Sequence, residues 1–168
     1  MARIFISYRR DDSQPLAGRL FDRFSQRLGK ENVFRDIDTI DPDAEFAKVI
    51  AERIDDCDAL IAVIGKSWLD ARLYLFDDFV AAEISQALSK GKLVIPALIE
   101  DTPIPARDAL PSQLKALADR SAIRIRDDHF AEDVDRIIGA VEKKVVGLPK
   151  QIRTKFPPGG LLVVSDKD

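Results

Sequence analysis

The sequence predicts a single α/β domain wound around a five-stranded parallel sheet, and three observations carry that prediction. Short apolar runs alternate with helix-period patterns five times along the chain. Two of the runs, Ala59 to Ile64 and Leu93 to Ile99, are apolar throughout, as expected of strands covered on both faces. Regular strand–helix alternation implies right-handed crossovers, and hence a doubly wound (flavodoxin-like) sheet with strand order 2-1-3-4-5.

The elements follow in order. Arg3 to Ser7 is the first strand. Ser13 and Pro15 read as the cap and first turn of a helix. Leu16, Leu20, Phe21, Phe24 and Leu28 fall at helical spacing, and Gly29 ends that helix. Asn32 to Phe34 is a second short strand, and Arg35 to Asp43 is a polar, acidic loop with one proline. The next helix buries Phe46, Val49, Ile50 and Ile54 and leads into the third strand, Ala59 to Ile64. Gly65 to Phe76 is a longer connection containing Trp68. Asp77 or Asp78 caps the following helix, whose stripe is Val80, Ile84, Ala87 and Leu88 and whose stop is Gly91. After the fourth strand, Pro103, Pro105 and Pro111 leave room for one short helix near Ser112 to Leu117. Ala122 to Ile125 is the fifth strand and Phe130 to Val145 the last helix. Periodicity is lost after Gly147, and Pro157, Pro158, Gly159 and Gly160 mark a tail or linker. The expected division is a domain over 1–146 and a tail over 147–168.

Composition narrows the function. A chain of 168 residues suits one domain with a sizeable core. A net charge of -3 and a pI near 5.3 argue against nucleic acid as a partner. No apolar run approaches a membrane span, and the N-terminus does not read as a signal peptide, so a cytoplasmic protein is expected. The one cysteine, Cys57, precedes an apolar strand and reads as a small buried hydrophobe. The one histidine, His129, follows Asp127 and Asp128 in a polar loop, where solvation is the simpler role. No His/Cys cluster has ligand spacing, so no metal is expected. The chain has no GxxxxGK[ST] loop and no GxGxxG after the first strand, which argues against a nucleotide held by a Gly-rich loop. A phospho-acceptor receiver domain shares this strand order but needs an acid after the third strand, where this chain has Gly65-Lys66-Ser67.

In doubly wound folds, ligands bind outside the carboxyl ends of the strands at the switch point. That places Ser7 to Asp12 opposite Gly65 to Trp68. Nearby, Phe79 and Glu83 are four residues apart and share a helix face. Glu83 borders the stripe of Val80 and Ile84, so a half-buried carboxylate is expected, with a raised pKa and a strengthened field. The plain alternative is a surface glutamate without a role.

The order of these landmarks resembles the TIR domain of the bacterial type. Phe5 to Asp12 (FISYRRDD) is similar to the family's first box, and Phe34-Arg35-Asp36-Ile37-Asp38 to its second strand and the start of its BB loop. Trp68-Leu69, then Asp78 to Ile84 (DFVAAEI), resembles the helix that carries the catalytic glutamate of TIR enzymes. Val94 to Leu98 and Leu110-Pro111 match later landmarks, so the resemblance covers about residues 1 to 145. Two positions differ: Asp43 follows Pro42 where a glycine is common, and Phe79 stands where some TIR enzymes carry tryptophan.

The family holds NAD-cleaving enzymes and adaptors that only bind further TIR domains. The resemblance implies Glu83 as the catalytic carboxylate and NAD+ as substrate, with no further cofactor. Ser7, Tyr8, Arg9, Arg10, Asp36, Ile37, Trp68 and Phe79 are the implied substrate-binding residues. Arg9 or Arg10 would meet the diphosphate, against a plain solvated role. Trp68 and Phe79 would stack on a ring, against plain core packing. It also implies a homo-oligomer or filament formed through the Arg35 to Asp43 loop, and a sensor domain that in some relatives follows the TIR domain.

Overall fold

In a computed structural model, residues 2–35, 46–75 and 78–146 are described. Asp36, Ile37, most of the Arg35 to Asp43 loop and the expected tail lie outside the described residues, as does the side chain of Phe46.

The strands are β1 (Ile4–Ser7), β2 (Val33–Phe34), β3 (Ala59–Ile64), β4 (Leu93–Ile99) and β5 (Ile123–Ile125). They form one parallel sheet in the order β2-β1-β3-β4-β5. This is the order read from the sequence. The helices are α1 (Arg10–Leu28), α2 (Phe46–Asp55), α3 (Phe79–Ser89) and α4 (Phe130–Val146).

Strand parity sorts the core into two layers. Ile4, Ile6, Ala59, Ile61, Val63, Ile95 and Ala97 face α1 and α4. Phe5, Leu60, Ala62, Ile64, Val94 and Leu98 face α2 and α3. Both faces of β3 are therefore covered, which is why its six residues are all apolar and all buried. Ser7 is two residues beyond Phe5, so strand alternation directs it to the α3 side.

Strand ends agree with the sequence reading to within one residue, and the larger differences lie in α1 and in the segment after Pro111. α1 begins at Arg10, three residues before the expected cap. Ser13 sits at φ -146° and ψ 26°, outside helical values, and its buried hydroxyl has no hydrogen-bond partner among the described residues. It breaks the helix instead of capping it. Pro15 explains the break, because it has no N–H to donate to Asp11 and its ring crowds that carbonyl. The short helix near Ser112 is a 3-10 segment over Ser112–Asp119.

The stop of α3 follows its sequence signal. Lys90 ends the helix and Gly91 takes φ 71°. Gly91 N–H donates to Leu88 and Lys92 N–H to Ala87, the paired bonds that glycine permits at a helix end.

Candidate functional site

The site grows from the N-terminus of α3. Asp78 is the N-cap, and its carboxylate accepts the Ala81 N–H at 2.9 Å. The same carboxylate meets Arg9, just past β1, in a two-pronged ion pair: Nη1 to Oδ1 at 2.9 Å and Nη2 to Oδ2 at 3.0 Å. The two side chains are only 5% and 8% exposed. This bidentate, charge-assisted geometry is the strong form of the interaction. It fastens the start of α3 to the end of β1, across 69 residues of sequence.

Along α3, Phe79 is half-buried against the α2/α3 core layer, and Glu83 follows one turn later. Glu83 is only 6% exposed. The expected half-buried carboxylate is thus a buried one, because α3 packs over β1, β3 and β4 together and covers its own border positions.

A second acid closes the switch point. The Asp12 carboxylate accepts the Gly65 N–H at 2.8 Å and the Ser67 N–H at 2.7 Å, the two amides just beyond β3. Gly65 allows this approach, since a Cβ there would stand 2.6 Å from Asp12 Oδ1. Outside it, Arg72 bridges Asp70 at 2.6 Å and Asp11 at 3.1 Å. The Arg72 guanidinium holds the Asp70 carboxyl below the usual carboxylate range.

The structure brings Ser7, Trp68, Phe79 and Glu83 to one side of the sheet. Ser7 is fully buried, and its hydroxyl has no hydrogen-bond partner among the described residues. Trp68 is also fully buried, packed within the apolar layer. Tyr8 belongs to the opposite layer, with α1 and α4. Of the two arginines, Arg9 is held by Asp78 inside the fold and Arg10 is exposed. Asp36 and Ile37 lie outside the described residues.

Sequence reasoning missed two roles: Asp78 as the partner of Arg9, and Asp12 as a clamp on the amides after β3. The box Arg9 to Asp12 held both, but nothing in it names a partner. A cavity of about 500 Å³ also opens at the carboxyl ends of β3 and β4, lined by Ile64, Leu69, Thr102, Pro103, Ile104 and Pro105 among others. Glu83 does not line it, and its walls are mostly apolar. Cys57 has no part in either place: burial pushes its thiol up to about 12, so no thiolate forms near neutrality. No group of His, Cys, Asp and Glu among the described residues could hold a metal ion. No helix of the described residues is long and apolar enough to cross a membrane.

Comparison with known proteins bears on the fold. The sequence model of the TIR domain matches residues 4–138. Curated proteins yield no match. Among solved structures, the TIR domains of the activated Roq1 resistosome, which directly recognizes the pathogen effector XopQ, are similar at 13% identity with a TM-score of 0.59. The match covers 84% of this chain and 99% of that one. A metazoan TIR-STING receptor from C. gigas, solved in complex with 2',3'-cGAMP, is similar at 20% identity with a TM-score of 0.55. That match covers 84% of this chain and 39% of the receptor. At such identities the structural likeness speaks for the fold alone. The sequence match, however, runs from the first residue of β1 into α4 and takes in every strand of the sheet, and on that ground the chain belongs to the TIR domain family.

Proposed function

We propose that this TIR domain cleaves NAD+ between nicotinamide and ribose, with Glu83 as the catalytic carboxylate. The observation that carries the reading is the burial of Glu83 at 6% exposure, one turn from the half-buried aromatic Phe79. Burying a carboxylate is costly unless it is paired, and a buried acid on the helix that packs over β1, β3 and β4 is a candidate for chemistry.

The chemistry needs little more. Nicotinamide in NAD+ is a cationic pyridinium and leaves as a neutral molecule. The C1′–N bond breaks with its electron pair going to the ring nitrogen, so no general acid is required, unlike ordinary glycoside hydrolysis. The ribose is left with oxocarbenium character. A carboxylate already in place stabilises that charge without waiting for solvent to reorganise. Water then captures C1′ and loses a proton, giving ADP-ribose. Capture by the adenine ring of the same molecule would give a cyclic product.

In this reading Arg10, exposed at the start of α1, meets the diphosphate, and Arg9 holds Asp78. Phe79 offers an aromatic face at the same helix end, and Ser7 a hydroxyl on the α3 side of the sheet. NAD+ is substrate and no resident cofactor is invoked. By the resemblance, Asp36 and Ile37 would also contact the substrate, and the Arg35 to Asp43 loop would meet a neighbouring copy. A cytoplasmic role in signalling or defence accords with the pathogen-recognising resistosome among the structural relatives.

The test is Glu83→Gln, which keeps size and helix propensity and removes the charge. A charge that acts on the transition state changes the rate constant more than affinity. Nicotinamide release should fall about a hundredfold or more, with KM nearly unchanged. A folded, assembled variant that releases nicotinamide at the parental rate removes Glu83 from the mechanism. One observation favours a second reading, a non-enzymatic module that binds further TIR domains: Leu69, Tyr74 and Leu75 are exposed on a single segment, an apolar grouping suited to a protein partner. An assembled parent without turnover would support it.

A further inference from the structure

We infer that the Arg9–Asp78 ion pair is a positioning device for Glu83, setting where α3 stands along the end of β1. This rests on the proposed role of Glu83 and extends it to two residues that do not touch the reacting atoms.

Three features of the pair point this way. First, stability does not explain it. Two charges only 5% and 8% exposed give up hydration that their attraction must recover, and apolar replacements of buried pairs are often neutral or stabilising. The Arg9 Nε is also buried without a partner among the described residues, a further cost that a purely stabilising design would avoid. Second, the pair ties the start of α3, the end that the long connection delivers, whereas the far end is held to α2 by Lys90 Nζ, which donates to the Ala51 carbonyl at 2.9 Å and the Asp55 carboxylate at 2.7 Å. The connection from β3 into α3 is long, and it is exposed at Lys66, Ser67, Leu69, Tyr74 and Leu75. Third, the geometry is directional. The planar guanidinium donates both bonds only to a carboxylate lying in its plane, and that carboxylate is itself locked to the helix by the Ala81 N–H at 2.9 Å. The strand end, the fork, the cap and the first turn are therefore one rigid chain of bonds. Glu83 lies five residues along, a rise of about 7.5 Å, so a shift at Asp78 becomes an equal shift of the Glu83 carboxylate relative to Ser7.

The experiment compares three fork variants with the parent, using nicotinamide release for kcat and KM. It also uses thermal melting and the Glu83 side-chain carboxyl resonance by carbon NMR. Arg9→Lys keeps the charge and loses the fork. Asp78→Asn keeps a helix cap and loses the charge. Arg9→Met with Asp78→Ser keeps a cap and removes both charges, so it should fold at parental stability even if the single variants do not. Arg27→Met, which removes an exposed pair with Asp135, is the control. We expect kcat to fall tenfold or more in all folded fork variants, with KM within threefold of the parent. The Glu83 resonance should move in those variants and stay in place in the control. Parental kcat in the double variant overturns the positioning role. If the parent itself has no turnover, the proposed enzymatic function fails separately. The resonance then decides: an unmoved Glu83 signal in the double variant overturns the inference, and a displaced one upholds it.

Discussion

Replacing Gly65 with alanine tests whether Asp12 is the clamp at the switch point. The backbone at Gly65 is not in the left-handed region, where Gly29 and Gly91 alone are found among the described glycines, so alanine has no conformational objection there. In an open site the change would stabilise by roughly 0.4–1 kcal/mol, because alanine narrows the unfolded ensemble. The site is not open. The new Cβ would lie 2.6 Å from Asp12 Oδ1, 2.8 Å from Oδ2 and 3.0 Å from Cγ. The whole carboxylate must move, and its hydrogen bonds from Gly65 and Ser67 go with it.

Hydrogen bonds to a charged group contribute about 1.5–3 kcal/mol each. The Ser67 amide is exposed and recovers water, so its loss counts for little, whereas the Gly65 amide is partly buried. The net loss should be about 2 kcal/mol, which for a domain of this size lowers the melting temperature by roughly 4–8 °C. The decisive measurement is a double-mutant cycle with Asp12→Ala. Once Asp12 is gone, Gly65→Ala should cost nothing or stabilise slightly. Equal losses in both backgrounds, or a parental melting curve for Gly65→Ala alone, would refute the clamp.

Three further outcomes are expected. Burial pushes the Asp133 carboxyl up, but the Arg126 N–H at 2.9 Å and the guanidiniums of Arg126 and Arg136 outweigh it and hold it below its ordinary 3.8. Its folded value is depressed, so its stabilisation is complete above 3.8 and is lost as pH falls below that through the folded value. Asp133→Asn should therefore flatten the acid limb of the stability curve, and an unchanged limb would exclude the pair from acid unfolding. Cys57, with its thiol pushed up to about 12 inside the fold, should resist iodoacetamide at neutral pH and react once urea unfolds the chain; labelling of native protein at the unfolded rate contradicts its burial. If copies meet through the Arg35 to Asp43 loop, nicotinamide release per molecule should rise with protein concentration. A flat rate from a protein that stays monomeric would count against assembly.

Sequence periodicity made the layers legible because it is a local property. Whether a residue faces the core depends on neighbours two, three or four positions away, and those neighbours are given by the sequence. Thus β3 and β4 read correctly from end to end, and the stop of α3 followed from Gly91. Partner choice between charged groups is not local. Arg9 and Arg10 are the same residue type side by side, yet one is forked to an acid 69 residues on and the other is exposed. Asp11 and Asp12 diverge in the same way, one turned outward to Arg72 and the other inward to the amides after β3. In each pair the fold distinguishes what composition cannot, by the direction in which the chain leaves β1.

The same reasoning explains why the burial of Glu83 exceeded its expectation. Glu83 and Asp133 both border apolar helix stripes, beside Ile84 and Val134. A border position is half-covered when its helix lies over a sheet edge and fully covered when the helix lies over the middle. α3 spans β1, β3 and β4, the centre of the sheet, so its border closes over. α4 packs towards β5, the edge strand, and Asp133 is buried there by a different cause: it closes the turn out of β5 by accepting the Arg126 N–H and two guanidiniums. Its burial is thereby accounted for by the turn it holds. Glu83 lies on the helix whose first turn is fastened to the end of β1, one turn beyond Phe79. Position over the sheet accounts for the burial of one acid and a closed turn for that of the other, and neither follows from the helix pattern alone.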